Sequence, residues 1–169
     1  GSEYRTLEDS LDAAIAHTAF FRFYARHIEL DRSFKPGHYV LEPGMNIVQV
    51  ARMLKLGLQT PVRVTINNVR TPAQLAGKLA RQIEADSATI VGALTDPATA
   101  RKAGFDSVTL FSMFIPDTYE FYWTVSPAQF IERMRREYDR FWTPQRDAKR
   151  QRSGLSRLEV MTLASIVYE

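Results

Sequence analysis

Helix-capping signals constrain the fold of this chain more than any other feature of its sequence. A Ser, Thr or Asn side chain can accept a hydrogen bond from a free backbone N–H at a helix start, and a Gln or Glu three positions later can reach back to the capping residue. Pro is favoured at the first helical position. Such signals occur at Asn46–Gln49, Thr71–Gln74, Ser126–Gln129 and Ser156–Glu159. The sequence therefore predicts a chain that is built largely from short helices.

Residues 38–66 are predicted to form a strand–helix–turn–strand unit. Tyr39–Leu41 have the composition of a short strand. The helix that Asn46 caps should end at Gly57, because glycine readily adopts the left-handed conformation of a helix C-terminus. Apolar residues alternate with polar ones over Val62–Ile66, which predicts a strand with one buried face.

The remaining helices are predicted from apolar spacing. Residues 6–29 have apolar side chains at near-helical intervals and should form one or two helices. Asp96 is expected to cap a short helix that Gly104 ends. The predicted buried faces consist of Leu75, Leu79 and Ile83 after the Thr71 signal, and of Phe130, Met134, Tyr138 and either Phe141 or Trp142 after the Ser126 signal.

Composition places the chain among globular proteins, and its charge is uneven. The 169 residues are 45% hydrophobic and 24% charged, with a net charge of +3. Residues 132–157 hold nine basic and four acidic residues, so this segment carries +5 and the rest −2. Two interpretations remain open for a basic helix over residues 132–152. It is either the solvated face of an amphipathic helix or a surface for nucleic acid, anionic lipid or an acidic polymer.

Several kinds of site are not expected. The chain has no Cys, which excludes disulfides and thiolate metal sites. Its His residues, at positions 17, 27 and 38, all lie in the N-terminal quarter and form no local cluster of Asp, Glu and His with the spacing of a metal site. There is no glycine-rich phosphate loop. We therefore expect no metal and no cofactor.

The stretch FIPDTYEFYW, residues 114–123, concentrates aromatic residues around one turn. Pro116 fixes a backbone angle and Asp117 can accept hydrogen bonds from the following amides, so the turn should be rigid. In an extended segment alternate side chains face opposite ways, so these rings cannot all face one core. The second surface is either covered by flanking helices or free to contact sugar rings.

The last residue offers a candidate acid. The stretch LASIVYE, residues 163–169, ends in a carboxylate on an otherwise apolar helix. A partly desolvated Glu169 would have a raised pKa and could act as a general acid. The alternative is an exposed Glu on a helix surface, which is the commoner environment of this residue.

Three of these stretches resemble the endolytic murein transglycosylase family (MltG, or YceG-like). They are PGMNIVQVARMLKLG with PVRVTI, then FIPDTYEF, then TLASIVYE. The resemblance implies an α+β fold with a helical segment at residues 1–33 and a small LysM-like unit of βααβ type at residues 34–67. Residues 68–169 would be the first part of a mostly helical catalytic domain that continues beyond this chain.

The same resemblance implies an activity. A lytic transglycosylase cleaves peptidoglycan glycan strands and leaves 1,6-anhydro-MurNAc ends, with one carboxyl as acid and base. That carboxyl would be Glu169 or the residue after it, so this chain itself is expected to be inactive. Substrate binding is expected at Asp117, Thr118, Tyr119 and Tyr122. The alternative is a non-catalytic module that binds peptidoglycan or serves as a scaffold.

The family also implies partners and a location. The expected partners are glycan strands and cell-wall synthesis proteins, with no nucleic acid. An N-terminal membrane helix, which these residues do not include, would hold the parent protein in the cell envelope, at the outer face of the inner membrane.

Overall fold

The structure is a computed structural model and describes residues 18–167. The chain divides into two compact units. The described part of the first unit comprises residues 18–62 and 122–124, and that of the second comprises residues 63–121 and 125–167. The domain boundaries predicted after residues 33 and 67 stay predictions.

The described part of the first unit contains three helices, α1 (Thr18–His27), α2 (Leu30–Ser33) and α3 (Ile47–Leu56). They pack on one another around one apolar cluster. Apolar side chains lie at helical spacing on one face of α1 and of α3. Packing of these faces stabilises the unit because it removes apolar surface from water. The cluster consists of Phe21, Ala25, Leu30, Val50, Ala51 and Leu54.

The ends of α3 confirm the local sequence signals. The Asn46 side chain accepts the Gln49 N–H at 2.9 Å, and the Gln49 side chain accepts the Asn46 N–H at 2.8 Å. Gly57 ends the helix with φ of 70°. A side chain there would also meet Lys35, whose Cδ lies 2.6 Å from an ideal Cβ position. The left-handed φ ends the helix, and both features favour glycine at this position.

The predicted strand at Tyr39–Leu41 is wrong. Residues 34–46 have no regular secondary structure apart from a turn at residues 43 and 44. A strand forms where a neighbouring strand supplies a ladder of hydrogen bonds. Among the described residues the sheet contains no strand beside this segment, although Thr60 N–H donates to the His38 carbonyl at 2.9 Å. Residues 34–67 therefore contain one helix and one strand, not a βααβ arrangement.

The second unit is mostly helical and contains the sheet. Its two strands pair with each other in an antiparallel arrangement. The elements in chain order are β1 (Val62–Ile66), α4 (Pro72–Leu79), α5 (Ser87–Thr95), α6 (Pro97–Lys102), a 3₁₀ turn (Leu110–Met113), β2 (Asp117–Phe121), α7 (Pro127–Phe141), α8 (Pro144–Ser153) and α9 (Arg157–Val167).

Most capping signals of the second unit are confirmed. Thr71, Asp96 and Ser126 each accept a backbone N–H from the first turn of the following helix, and Ser156 and Glu159 bond reciprocally. The helix α4 ends at Leu79, earlier than Ile83 implied, yet Ile83 is buried all the same. The helix α5 was not predicted.

Helix α5 packs against α4, α6 and α7, and Phe121 of β2 contacts Phe130 of α7. Val64 and Ile66 of β1 are buried while Arg63 and Thr65 are exposed, as the alternation predicts. On α7 the predicted inward residues Phe130, Met134 and Tyr138 are buried, and of the two candidates at its end Trp142 is buried. The described residues thus form an α+β fold, as predicted.

The basic segment is two helices and not one. Helix α7 ends at Phe141 and α8 begins at Pro144. Pro disfavours the helical conformation for the residue before it, and here that residue, Thr143, caps α8 by accepting the Arg146 N–H. The prediction of a continuous helix over residues 132–152 missed this break.

None of the helices that the structure describes is long and apolar enough to cross a bilayer.

Candidate functional site

The aromatic turn leads directly into strand β2. The Asp117 side chain accepts the Thr118 N–H at 2.7 Å, which confirms that this carboxylate bonds a following amide. Asp117 and Thr118 are both exposed. The start of β2 therefore presents a carboxylate and a hydroxyl to solvent.

Tyr119 lies on the opposite face of the strand from Thr118. It is buried, and its hydroxyl donates to the Ile115 carbonyl at 2.8 Å. Burial raises the pKa of Tyr119 to about 12, and the charges of Asp117 and Glu137 add to this effect. The hydroxyl therefore stays protonated and closes the turn that precedes Asp117. Whether Tyr119 contacts a substrate stays a prediction.

Strand β1 contributes a residue that the sequence did not single out. The Thr65 hydroxyl lies 2.9 Å from the Thr118 hydroxyl, and either oxygen can be the donor. Both residues are on the exposed face of the two-stranded sheet. Alternation with Val64 and Ile66 indicates that Thr65 faces outward, but only the pairing of β1 with β2 places it beside Thr118. The sheet thus carries a pair of exposed hydroxyls next to Asp117.

The rings of the stretch divide between core and solvent, as their alternation requires. Phe114, Tyr119 and Phe121 are buried in the second unit, where Phe114 and Phe121 contact Phe130. Tyr122, which belongs to the first unit, is 57% exposed. Most of these rings therefore stabilise a core, and the Tyr122 ring is exposed to solvent.

The proposed acid cannot be placed. Tyr168 and Glu169 lie outside the described residues, and so does His17. Helix α9 leads toward Glu169, and its residues from Thr162 to Val167 are exposed. The assignment of Glu169 stays a prediction.

All the acidic residues of the basic segment are engaged in ion pairs within it, while its net charge of +5 remains. Its four acidic residues form ion pairs with six of its basic ones, namely Arg133, Arg135, Arg136, Arg140, Arg150 and Arg157. Asp147 pairs with Arg150 of the same helix and joins α8 to α9 through Arg157. Hydrogen bonds from Arg157 and then Arg150 lower the pKa of Asp147 to about 2. This pairing favours the interpretation of a solvated helix surface.

Removing the Tyr119 hydroxyl tests whether it stabilises the turn. Tyr119→Phe keeps the buried ring and leaves the Ile115 carbonyl without its donor, so we expect the free energy of unfolding to fall by about 1 kcal/mol. Urea unfolding, followed by circular dichroism, measures the change. The matched control is Tyr122→Phe on the exposed ring, which should change stability by less than about 0.5 kcal/mol. Equal effects of the two variants would contradict a special role of the Tyr119 hydroxyl.

Comparison with known proteins adds family information to this geometry. The sequence model of the YceG-like family matches residues 1–169. The chain is also similar to a crystal structure of a protein described as yceG-like from Listeria monocytogenes, with 22% sequence identity and a TM-score of 0.58. The similarity covers 90% of this chain and 55% of that protein, so this chain spans about half the length of that relative. At this identity the similarity shows the fold alone. No curated protein matches the chain significantly.

Proposed function

Because this chain belongs to the YceG-like family, we propose that its parent protein is a lytic transglycosylase. It would cleave internal glycosidic bonds of peptidoglycan glycan strands and leave 1,6-anhydro-MurNAc ends. The observation that carries this proposal is the family match over the whole chain, residues 1–169. The motifs FIPDTYEF and TLASIVYE, in that order, support it.

The reaction needs one carboxyl group near the glycosidic oxygen. In the proposed mechanism Glu169, or the residue that follows it, gives a proton to the leaving oxygen. The same group then helps the 6-hydroxyl of the sugar to attack the anomeric carbon, so that water takes no part. Most glycoside hydrolases instead use two carboxylates.

The exposed start of β2 suits a polyhydroxylated ligand. The Thr65–Thr118 hydroxyl pair can both donate and accept hydrogen bonds, and Asp117 can accept them. We propose that Asp117 and Thr118 contact the glycan and that Tyr119 fixes the turn beneath them. Tyr122 offers an exposed aromatic face to a sugar ring.

The proposal extends to organisation and location. Residues 34–67 would be a LysM-like unit that contacts glycan. The protein would act in cell-wall assembly with cell-wall synthesis proteins, and it would be anchored at the outer face of the inner membrane. The capping box of α3 and the strand β1 are the elements that support the LysM-like assignment.

Product analysis tests the reaction. Purified peptidoglycan is digested with the full-length protein that contains this chain, and the fragments are analysed by mass spectrometry. We expect internal cleavage and 1,6-anhydro ends. Free reducing ends would show hydrolysis and contradict the proposed mechanism. If the protein binds glycan but does not cleave it, the proposal of an enzyme is wrong and the alternative, a non-catalytic peptidoglycan-binding module, is favoured.

The assignment of the acid is tested in the same assay. Glu169→Gln keeps the size of the side chain and removes its ability to donate a proton. Loss of anhydro products in this variant, with glycan binding retained, assigns the acid to Glu169. Retained anhydro products would exclude Glu169, and the corresponding change of the next residue then tests that position.

A further inference from the structure

Helix α9 is attached to the second unit by polar contacts at its first turn. None of its described residues, 157–167, is buried. The helix contacts the 3₁₀ turn Leu110–Met113, and its first residue, Arg157, bonds to the neighbouring helix α8. Because these residues of α9 bury no apolar side chain, the bonds of Arg157 contribute much of what fixes the direction of the helix.

The Asp147 carboxylate of α8 accepts hydrogen bonds from two arginines. Its Oδ1 accepts the Arg150 Nε–H at 3.0 Å and the Arg157 Nε–H at 3.1 Å, and its Oδ2 accepts an N–H from Nη2 of Arg157. The contact with Arg157 is therefore bidentate, which restricts the orientation of the guanidinium group as well as its distance. Exposed ion pairs usually contribute little, but a bidentate pair within a network is the exception.

Two further contacts extend this network. Arg150 donates to the Leu155 carbonyl at 2.8 Å, which fixes the loop between α8 and α9. The guanidinium carbon of Arg157 lies 5.3 Å from the ring centroid of Trp142, which is buried at the end of α7, and a cation over an indole face is attracted by the ring. Arg157 thus connects α9 to both α7 and α8.

A small tilt at the start of α9 is amplified along the helix. Arg157 and Val167 are ten residues apart, so about 15 Å separates them. A tilt of about 10° at Arg157 therefore moves the other end of this segment by roughly 2.5 Å. Misplacement of a reacting group by about 1 Å can lower a rate about 100-fold. The direction of α9 consequently matters for any reacting group that the helix carries.

We propose that Asp147 is a positioning residue of the transglycosylase reaction. Through Arg157 it sets the direction of α9, and with it the position of the acid, Glu169 or the residue after it. The inference rests on the proposed function, because that function supplies the acid. Asp147 itself contacts neither the acid nor the glycan, so glycan binding at Asp117 and Thr118 does not depend on it.

The full-length protein that contains this chain tests the inference, with soluble peptidoglycan glycan oligomers as substrate. In Asp147→Ala we expect kcat for the formation of anhydro ends to fall roughly tenfold or more, with KM within about twofold of its original value. Alanine is a better helix former than aspartate, so the change does not weaken α8 itself. Asp147→Glu keeps a carboxylate for Arg157 and should restore kcat to within about threefold.

The matched control is Asp139→Ala. It removes a carboxylate that pairs with Arg135 inside α7 and should leave kcat and KM unchanged. Hydrogen exchange of residues 155–167 in the 169-residue chain gives a second readout that does not depend on the reaction. Exchange should be faster in Asp147→Ala, and unchanged in Asp147→Glu and Asp139→Ala.

Three results would overturn the inference. They are an unchanged kcat in Asp147→Ala, a raised KM at unchanged kcat, and an equal fall of kcat in Asp139→Ala. If the unmodified full-length protein forms no anhydro ends, the proposed function is wrong, and with it the role of Asp147 in the reaction. Hydrogen exchange then still decides whether Asp147 fixes α9.

Discussion

Phe130→Ala is expected to lower the free energy of unfolding of the second unit by about 3–5 kcal/mol. Phe130 is 1% exposed. Its ring centroid lies 5.9 Å from that of Phe114, in a nearly parallel stack, and 5.2 Å from that of Phe121. Truncation removes the buried ring that joins α7 to β2 and to the residue after the 3₁₀ turn. The cost combines the lost burial with the cavity that remains.

The variant should also loosen the candidate site. In the sequence, Phe114 precedes Asp117 and Thr118, and Phe121 follows them. Both phenylalanines lose their contact with the Phe130 ring in this variant. Hydrogen exchange, read by mass spectrometry in peptides that cover residues 114–121, should therefore be faster in Phe130→Ala at denaturant concentrations where the protein is still folded.

The control for Phe130→Ala is Arg136→Ala on the outer face of the same helix. Arg136 pairs with Glu132, but both side chains are more than half exposed, so the pair contributes little. We expect a change of less than about 0.5 kcal/mol in urea unfolding. A similar loss of stability in both variants would contradict the assignment of Phe130 to the core.

Features that depend on neighbouring residues could be predicted from the sequence. The capping box of Asn46 and Gln49, the left-handed stop at Gly57 and the bond from Thr118 to Asp117 are set within a few residues. Backbone groups at a helix end have no partner in the helix, so a local side chain that satisfies them acts in any context. These predictions are confirmed.

Features that depend on distant residues could not be predicted. Tyr39–Leu41 have the composition of a strand, but a strand also needs a partner with which to exchange hydrogen bonds. Helix α5 was missed because it is apolar around much of its surface and gives a weak periodic signal. The break before Pro144 and the start of α5 differ, because Thr143-Pro144 and the Asp86 cap are local signals.

The candidate site shows the same division. The rigid turn at Asp117 is local and was expected from the sequence. The pairing of Thr65 with Thr118 joins residues 53 positions apart, and only the sheet reveals it. The burial of Tyr119 follows from strand alternation once Phe121 is known to face the core. Sequence motifs thus identified the segment, and the fold decided which of its side chains are accessible.

Leu54→Ala is expected to destabilise the first unit by about 2–5 kcal/mol. Leu54 is 2% exposed and belongs to the cluster formed by α1, α2 and α3. This unit is small, so one buried leucine is a large part of its core. Alanine has nearly the same helix propensity as leucine, and the loss would therefore report packing rather than helix formation.

Leu56→Ala supplies the matched comparison for Leu54→Ala, because it makes the same chemical change two residues later on the same helix. Leu56 is 49% exposed, so its truncation leaves no closed cavity and should lower stability by less than about 1 kcal/mol. Hydrogen exchange in peptides from residues 18–62 measures both variants in the unit concerned. If the two variants lose the same amount of protection from hydrogen exchange, the Leu54 side of α3 is not buried. The packing of α1 against α3 would then have to be revised.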